Sequence, residues 1–190
     1  MPSPKPLEYG KYYHIYNRGV NRENIFIEER NYAYFLTLYA KYIYPIADTF
    51  AYALLKNHFH VLLRLKTKGE IALTSLKTPS QYFSNLFNAY AKTINKTYDR
   101  TGSLFQRPFK RIEVVTDNHF ARLLVYIHRN PQKHGFVDDF RDWPFTSYHN
   151  LRSQKPTTLL RDESVGWFDN LVDFEDKHNV DDEIYEIALE

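Results

Sequence analysis

The sequence predicts an α+β fold in which an antiparallel sheet carries two helices on one face, with one additional helix after the sheet. Two observations predict this class. The hydrophobic pattern changes along the chain in the order strand, helix, strand, strand, helix, strand, helix. The chain also has 190 residues, of which 43% are hydrophobic and 25% are charged, which suits one globular domain with its own core. We expect that domain to occupy residues 1–160.

The first strand and the first helix are separated by a turn. Residues 12–16 are β-prone, and the turn signal Asn17-Arg18-Gly19 follows them. Residues 28–44 contain no Gly or Pro and repeat apolar side chains at helical spacing, so they predict a helix that Pro45 closes.

A β-hairpin is predicted next. Residues 46–55 are apolar and aromatic, as in a buried strand, and residues 58–65 form the returning strand. Lys56 and Asn57 between them can form the turn, because Asn tolerates a positive φ.

A second helix, a last strand and a third helix complete the pattern. Residues 80–98 have helical spacing, and residues 109–115 are a strand candidate. Thr116 or Asp117 can cap a further helix, which we expect Pro131 to stop. The first six elements match a ferredoxin-like unit, and the additional C-terminal helix follows it.

The net charge of +2 conceals two regions of opposite sign. Residues 1–160 hold 23 Lys and Arg against 12 Asp and Glu, a net charge of +11, whereas residues 161–190 hold 2 against 11, a net charge of −9. Aromatic residues make up 17% of the chain. Cations for phosphates and flat rings for unstacked bases are typical of a nucleic-acid binder. The acidic C-terminal extension either docks on the basic body, which we favour, or is a solvated tail, or competes with DNA.

The absence of cysteine excludes several kinds of chemistry. Disulfides, thiolate metal sites and a cysteine nucleophile are impossible, and a cysteine-free chain suits a reducing cytoplasm. The first ten residues lack the apolar run of a signal peptide, and no run of about 18 apolar residues predicts a membrane helix. We therefore expect a cytoplasmic protein.

His58 and His60 are the first candidate site. On a strand, residues two apart point to the same face, so the two imidazoles project together and can hold a divalent cation. The alternative is that a His-x-His pair arises by chance in a chain with 8 histidines.

The predicted third helix provides the second candidate site. At 100° per residue, its polar arc consists of His119, Arg122, Tyr126, Arg129 and Asn130. Tyr126 therefore lies among cations, and the amide of Asn130 could complete a metal site that two histidines begin. The alternative for Asn130 is a helix C-cap before Pro131.

Together these motifs resemble the single-tyrosine HUH transposases of the insertion-sequence (IS200-like) type, and among them the REP-associated tyrosine transposases. The resemblance covers roughly residues 9–150. It lies in NHFHVLL at 57–63, YIHRNP at 126–131, YHIYNRG at 13–19, GSLFQ at 102–106 and WPFTSY at 143–148.

The resemblance implies a metal-dependent single-stranded DNA endonuclease that cuts near DNA hairpins through a 5′-phosphotyrosine and rejoins strands. His58, His60 and Asn130 take the places of the metal ligands, and Tyr126 takes that of the nucleophile. The family allows Mg²⁺ or Mn²⁺, and a monomer or a homodimer. Relatives often carry Gln in place of Asn130, and the family core does not require residues 161–190.

Eight basic residues are candidate phosphate contacts, and four aromatic residues are candidates for base stacking. The basic residues are Arg18, Arg22, Lys92, Arg107, Lys110, Arg111, Arg122 and Lys133. The aromatic residues are Tyr13, Tyr16, Phe105 and Phe109, for each of which core packing is the more common role.

Two other functions fit part of the pattern. A noncatalytic ferredoxin-like module that binds nucleic acid explains the charge and the aromatic content. It does not explain two histidines on one strand face followed by a Tyr/Asn helix. A domesticated HUH nickase keeps the chemistry but changes its use.

Overall fold

A computed structural model describes residues 5–73 and 77–180, and it contains the predicted antiparallel sheet. The sheet order is β2-β3-β1-β4, which is the ferredoxin-like order. The strands are β1 (Tyr12–Arg18), β2 (Ala47–Leu55), β3 (His58–Leu65) and β4 (Lys110–Val114). The predicted α+β class is confirmed.

Strand pairing sets which side chains meet across the sheet. β1 lies in the middle, antiparallel to both β3 and β4. Its Tyr16 is directly opposite His60, and its Arg18 is opposite His58. β2 and β3 form the predicted hairpin around Lys56 and Asn57. The histidine strand therefore pairs with β1 along its whole length.

Helices α1 (Glu29–Tyr42) and α2 (Pro79–Thr97) cover one face of the sheet. Their rings pack onto the β3 side chains that point that way, with Phe35 against Phe59 at 5.2 Å between ring centroids and Phe87 against Phe59 at 5.7 Å. These rings belong to the buried apolar core on this face, and their burial stabilises the packing of the helices on the sheet.

Helix α3 (Asp117–Lys133) covers the other face. Its Phe120 and Leu124 are fully buried in a core that also contains Phe50 and Leu62 of the sheet. Our expectation that Pro131 stops this helix is wrong, since the helix continues to Lys133. Proline in the last turn of a helix removes only one backbone hydrogen bond, which the packed helix tolerates.

The chain after α3 folds back onto the same face. It forms three short helices, α4 (Tyr148–Arg152), α5 (Arg161–Gly166) and α6 (Leu171–Asn179). Phe168 and Phe174 are buried in the core beside α3. The described part of the acidic segment, residues 161–180, is therefore docked on the body. The acidic residues of 181–190 lie outside the described residues.

Short 3-10 turns complete the structure at Val20–Arg22, Lys68–Glu70 and Phe140–Asp142. Within the described residues, the helices are all too short or too polar to cross a bilayer.

Candidate metal and tyrosine site

The strand alternation places both histidines of β3 under helix α3. Phe59 points into the core with α1 and α2, so His58 and His60 point to the opposite face. Both imidazoles are buried, with 4% of each residue exposed. The predicted common face for the two rings is therefore present, and α3 is the element that closes over it.

His58 lies between two side-chain amides. Its Nδ1 is 2.6 Å from Oδ1 of Asn57 in the hairpin turn, and its Nε2 is 2.9 Å from Oδ1 of Asn130 on α3. Burial lowers the pKa of His58 to about 4, so the ring is neutral near pH 7. A neutral imidazole has one N–H, whereas both amides present an oxygen to it. If Nδ1–H donates to Asn57, two lone pairs face each other at Nε2 and Oδ1.

One ring nitrogen of His60 has a hydrogen-bond partner, and the other has none among the described residues. Its Nδ1 is 2.9 Å from Nε2 of His14, a fully buried residue of β1. Its Nε2 is buried and has no hydrogen-bond partner within the described residues. Burial also lowers the pKa of His60 well below its usual value, which keeps the ring neutral. An open, neutral Nε2 is a metal-ligating group.

Tyr126 lies against this histidine pair. Its ring meets the His60 ring edge-on, with 5.6 Å between centroids, and Nζ of Lys133 lies 5.5 Å from the centre of the same ring. Tyr126 is only 7% exposed. We expected the helix arc that carries Tyr126 to be a polar face among cations. This expectation is wrong in part, because Tyr126 is buried against the histidines and does not face solvent.

Asn130 belongs to the same arc and is completely buried. The C-cap alternative for this residue is wrong, since α3 runs past it to Lys133 and has His134 as its C-cap. Its side chain instead reaches across to His58, and its Nδ2 has no hydrogen-bond partner among the described residues. The structure thus brings together His58, His60, Asn130 and Tyr126, as the sequence predicted.

A cavity of about 430 Å³ opens beside these side chains. Three of the predicted phosphate contacts line it, namely Arg18, Arg22 and Lys110. The other lining residues are Tyr16, Asn17, Gln106 and His134, together with His58, His60 and Tyr126. The site is therefore an open, cation-lined cavity that ends at a tyrosine and two imidazoles.

A second cavity of about 470 Å³ adjoins the first, and Asn17 and Gln106 line both. Arg107 and Arg111 contribute to its wall. The Arg111 guanidinium lies 4.0 Å from the centre of the Phe109 ring and donates to Oγ of Ser80 at 3.0 Å. This arginine is held in place, and burial lowers its pKa.

The remaining predicted contacts are more dispersed. Lys92 is exposed on α2 and Arg122 is partly exposed on α3, and neither lines the two cavities. Among the stacking candidates, Tyr13 is buried in the core with α1 and α2, while Tyr16 lines the tyrosine cavity. The DNA-contact residues stay predictions.

The other two stacking candidates, Phe105 and Phe109, are buried at the second cavity.

Two histidines of the site were missed by the sequence analysis. His14 and His134 were not singled out, yet His14 contacts His60 directly and the His134 ring lies 4.8 Å from that of His58. The sequence does contain a signal for His14, because it lies two residues from Tyr16 on the first strand and both side chains therefore point to the same face. That signal indicates a contact with His60 only when the pairing of β1 with β3 is known.

The chain is similar to two known proteins. A Haemophilus influenzae protein assigned as a REP-associated tyrosine transposase is 32% identical over 111 residues, covering 56% of this chain. This match spans 61% of that protein, about three-fifths of its length. No protein-family model matches the chain.

The structural comparison decides the fold. The solved structure of a REP-associated tyrosine transposase bound to a REP hairpin matches with a TM-score of 0.67. The chain has the fold of a REP-associated tyrosine transposase. The match covers 82% of this chain and 89% of that protein, at 18% sequence identity. The Haemophilus influenzae protein supports the resemblance found in the motifs, and the solved structure supports the fold.

Proposed function

We propose that this protein is a metal-dependent single-stranded DNA transposase or endonuclease in which Tyr126 forms a 5′-phosphotyrosine. One observation carries the proposal. The Tyr126 ring lies against His60, inside a cavity that also contains His58 and is lined by basic residues. Attack on a phosphodiester requires a nucleophile, and it is assisted by a metal ion and by cations that bind the phosphate. This site has groups suited to each of these roles.

The substrate we propose is a DNA hairpin with an unpaired strand beside it. The solved neighbour in the structural comparison is bound to a REP hairpin, which supports this class of partner. Tyr126 is only 7% exposed, so the scissile phosphate has to enter the cavity. A flexible single strand can do this, whereas a duplex is stiff over the length of a protein.

The donor set fits a divalent cation. His58 Nε2 and Asn130 Oδ1 are 2.9 Å apart. Two ligands at right angles, each about 2.1 Å from an ion such as Mg²⁺, lie about 3.0 Å from one another. A cation would also satisfy the facing lone pairs of His58 and Asn130 and the open Nε2 of His60. Within the described residues, no group of three or more His, Cys, Asp or Glu side chains offers an alternative metal site.

His58, His60 and Asn130 would thus hold the cation, and the cavity leaves room for the phosphate. Two imidazoles and an amide suit Mn²⁺ better than Mg²⁺ by ligand preference. When bound, a divalent cation polarises a phosphate oxygen and stabilises charge on the leaving oxygen.

The chain's own residues would then direct the covalent step. Oη of Tyr126 attacks phosphorus, the bond from phosphorus to the 3′ oxygen breaks, and a bond from phosphorus to Tyr126 forms. Tyr126 loses one proton and the departing 3′ oxygen gains one. The Lys133 ammonium lies 5.5 Å from the centre of the Tyr126 ring and so brings a positive charge close to the nucleophile. Attack by another 3′-OH reverses the step and rejoins the strand, so no external energy source is needed.

The test is a covalent trapping experiment. A labelled hairpin oligonucleotide with a single-stranded flank is incubated with the protein and Mn²⁺ and resolved on a denaturing gel. We expect an adduct with the wild-type protein and none with Tyr126→Phe, while hairpin binding by the variant stays within about threefold. Tyr42→Phe is the matched control, because Tyr42 ends α1 on the other face of the sheet.

The outcomes separate the alternatives. An adduct that persists in Tyr126→Phe would show that another residue is the nucleophile. Hairpin binding by the wild-type protein without any adduct, at all Mn²⁺ and Mg²⁺ concentrations, would favour the noncatalytic binding module.

A further inference from the structure

We propose that His14 is a positioning residue, which accepts a hydrogen bond from Nδ1–H of His60 and so presents the Nε2 lone pair of His60 to the cation. This inference rests on the proposed function, since it concerns how one of its metal ligands is prepared. It assigns a role to a buried histidine that the proposed reaction does not otherwise use.

The contact between His14 and His60 has the geometry of a hydrogen bond. Nε2 of His14 and Nδ1 of His60 are 2.9 Å apart, and the two ring planes are within 15° of parallel. Stacked rings are separated by about 3.5 Å or more, which is longer than this distance. The ring centroids are 5.1 Å apart. The two imidazoles therefore meet edge to edge in nearly one plane, as an N–H···N hydrogen bond requires.

Proton counting supports this direction of donation. Both rings are buried, and a neutral imidazole carries one proton, on either Nδ1 or Nε2. If His14 donates through Nε2–H, the proton of His60 must sit on its Nε2 and block ligation. If His60 donates through Nδ1–H, its Nε2 lone pair is open. A cation at Nε2 therefore selects the second arrangement, and His14 is the acceptor that makes it possible.

The ring nitrogens of His58 are arranged in the same way as those of His60. Nδ1 of His58 faces Oδ1 of Asn57, an oxygen that can only accept. Each proposed ligand thus has an acceptor at Nδ1 and a free lone pair at Nε2. Partners that fix the tautomer of a ligating histidine commonly change metal affinity by about 10- to 100-fold when removed. His14 would supply this contact from a neighbouring strand.

The experiment measures Mn²⁺ binding to the full chain without DNA, by electron paramagnetic resonance. We expect His14→Leu to raise the Mn²⁺ dissociation constant about 10- to 100-fold, because the buried N–H of His60 loses its acceptor. His14→Gln should stay within about threefold of wild type, since its amide oxygen can take the position of Nε2. His149→Leu, on α4 and away from the tyrosine cavity, is the control and should not change affinity.

A spectroscopic measurement on the wild-type protein avoids dependence on any variant that folds poorly. With Mg²⁺ added, nitrogen-15 NMR should show the His60 proton on Nδ1 and a scalar coupling across the hydrogen bond to Nε2 of His14. A His60 proton on Nε2 in the Mg²⁺-loaded protein would overturn the inference.

Mn²⁺ binding distinguishes a failure of the role of His14 from a failure of the proposed metal dependence. If wild type binds Mn²⁺, His60→Ala weakens binding and His14→Leu does not, only the role of His14 is wrong. If wild type binds no Mn²⁺ or Mg²⁺, the metal dependence in the proposed function is wrong, and the inference fails with it.

Discussion

At the scale of the residue, the partner of each ring nitrogen distinguishes a candidate metal ligand from an ordinary core histidine. His58 and His60 are as buried as many core histidines, but the Nε2 atom of one meets an amide oxygen and that of the other meets no protein partner among the described residues. Buried polar atoms normally have partners, so an unpartnered atom requires an explanation. The cation that we propose would explain the unpartnered Nε2 of His60.

Gly19 gives a residue-scale prediction about stability. It follows β1, and its N–H donates to the carbonyl of Asn57 at 2.9 Å, which ties the end of β1 to the turn before His58. A Cβ at position 19 would lie 2.1 Å from the carbonyl oxygen of Glu23. We expect Gly19→Ala to lower the free energy of unfolding by about 1–3 kcal/mol, because backbone has to move.

Urea denaturation of Gly19→Ala beside Gly69→Ala provides the measurement. A Cβ at Gly69 meets nothing within 4 Å, so that variant should change the free energy of unfolding by less than about 0.5 kcal/mol. Equal stability of the two variants would contradict the predicted clash at position 19.

At the scale of the element, the tyrosine helix is fastened by a buried hydrogen-bonded chain. Nδ1–H of His178 on α6 donates to the carbonyl of Phe174 at 2.6 Å, and its Nε2 lies 2.8 Å from Nδ1 of His128 on α3. Nε2 of His128 lies 2.7 Å from Oγ of Ser147. Since the carbonyl can only accept, donation runs in one direction, from Ser147 through His128 to His178. Every link is satisfied with both rings neutral.

The hydrogen bonds between α3 and α6 affect how the role of the acidic segment can be tested. Deletion of residues 161–190 would show whether this segment competes with DNA. It would also remove the buried Phe174 and His178 that support α3. Substitution of exposed acidic side chains by their amides is the cleaner test, because it keeps the packing.

His178 predicts a pH dependence of stability. Burial lowers its pKa to about 3, and the nearby Arg129 and Arg141 act in the same direction, whereas the Phe174 carbonyl opposes them; His128 faces it across the hydrogen bond. The unfolded chain binds the proton near pH 6.5. The stabilisation is therefore full above pH 6.5 and is lost as pH falls towards 3, by up to about 1.4 kcal/mol per pH unit.

The comparison with His178→Gln isolates this residue from the other buried histidines. Glutamine keeps a donor and an acceptor but does not titrate, so we expect its unfolding free energy to fall less steeply between pH 6.5 and 5 than that of wild type. Urea denaturation across this range measures both slopes, and identical slopes would show that His178 does not remain neutral in the fold.

At the scale of the whole molecule, the charge distribution matters more than the net charge of +2. The positive side chains gathered at the tyrosine cavity are Arg18, Arg22 and Lys110. The described acidic segment packs on α3 at His128 through Phe174 and His178, and none of its residues lines the tyrosine cavity. Attraction of a nucleic-acid backbone should therefore be governed by the cavity cations and should weaken with salt.

Salt titration tests this distribution. On a single-stranded or hairpin substrate, each phosphate contact contributes about 0.7 to 0.9 to the slope of log affinity against log salt. We expect Lys110→Gln to reduce the slope by about this amount. Lys92→Gln removes an equally exposed lysine that lines neither cavity, and it should leave the slope unchanged. Equal effects of both variants would indicate diffuse rather than localised attraction.

The sequence alone determined the elements and the set of chemical groups. Hydrophobic periodicity is local, so it predicted the sheet, its helices and the common face of His58 and His60. Only the tertiary structure decided which groups meet. Strand pairing brought His14 to His60, and docking of α3 buried Tyr126 and set Asn130 against His58. These contacts join residues distant in the chain, and their energies depend on packing and desolvation, which local patterns do not record.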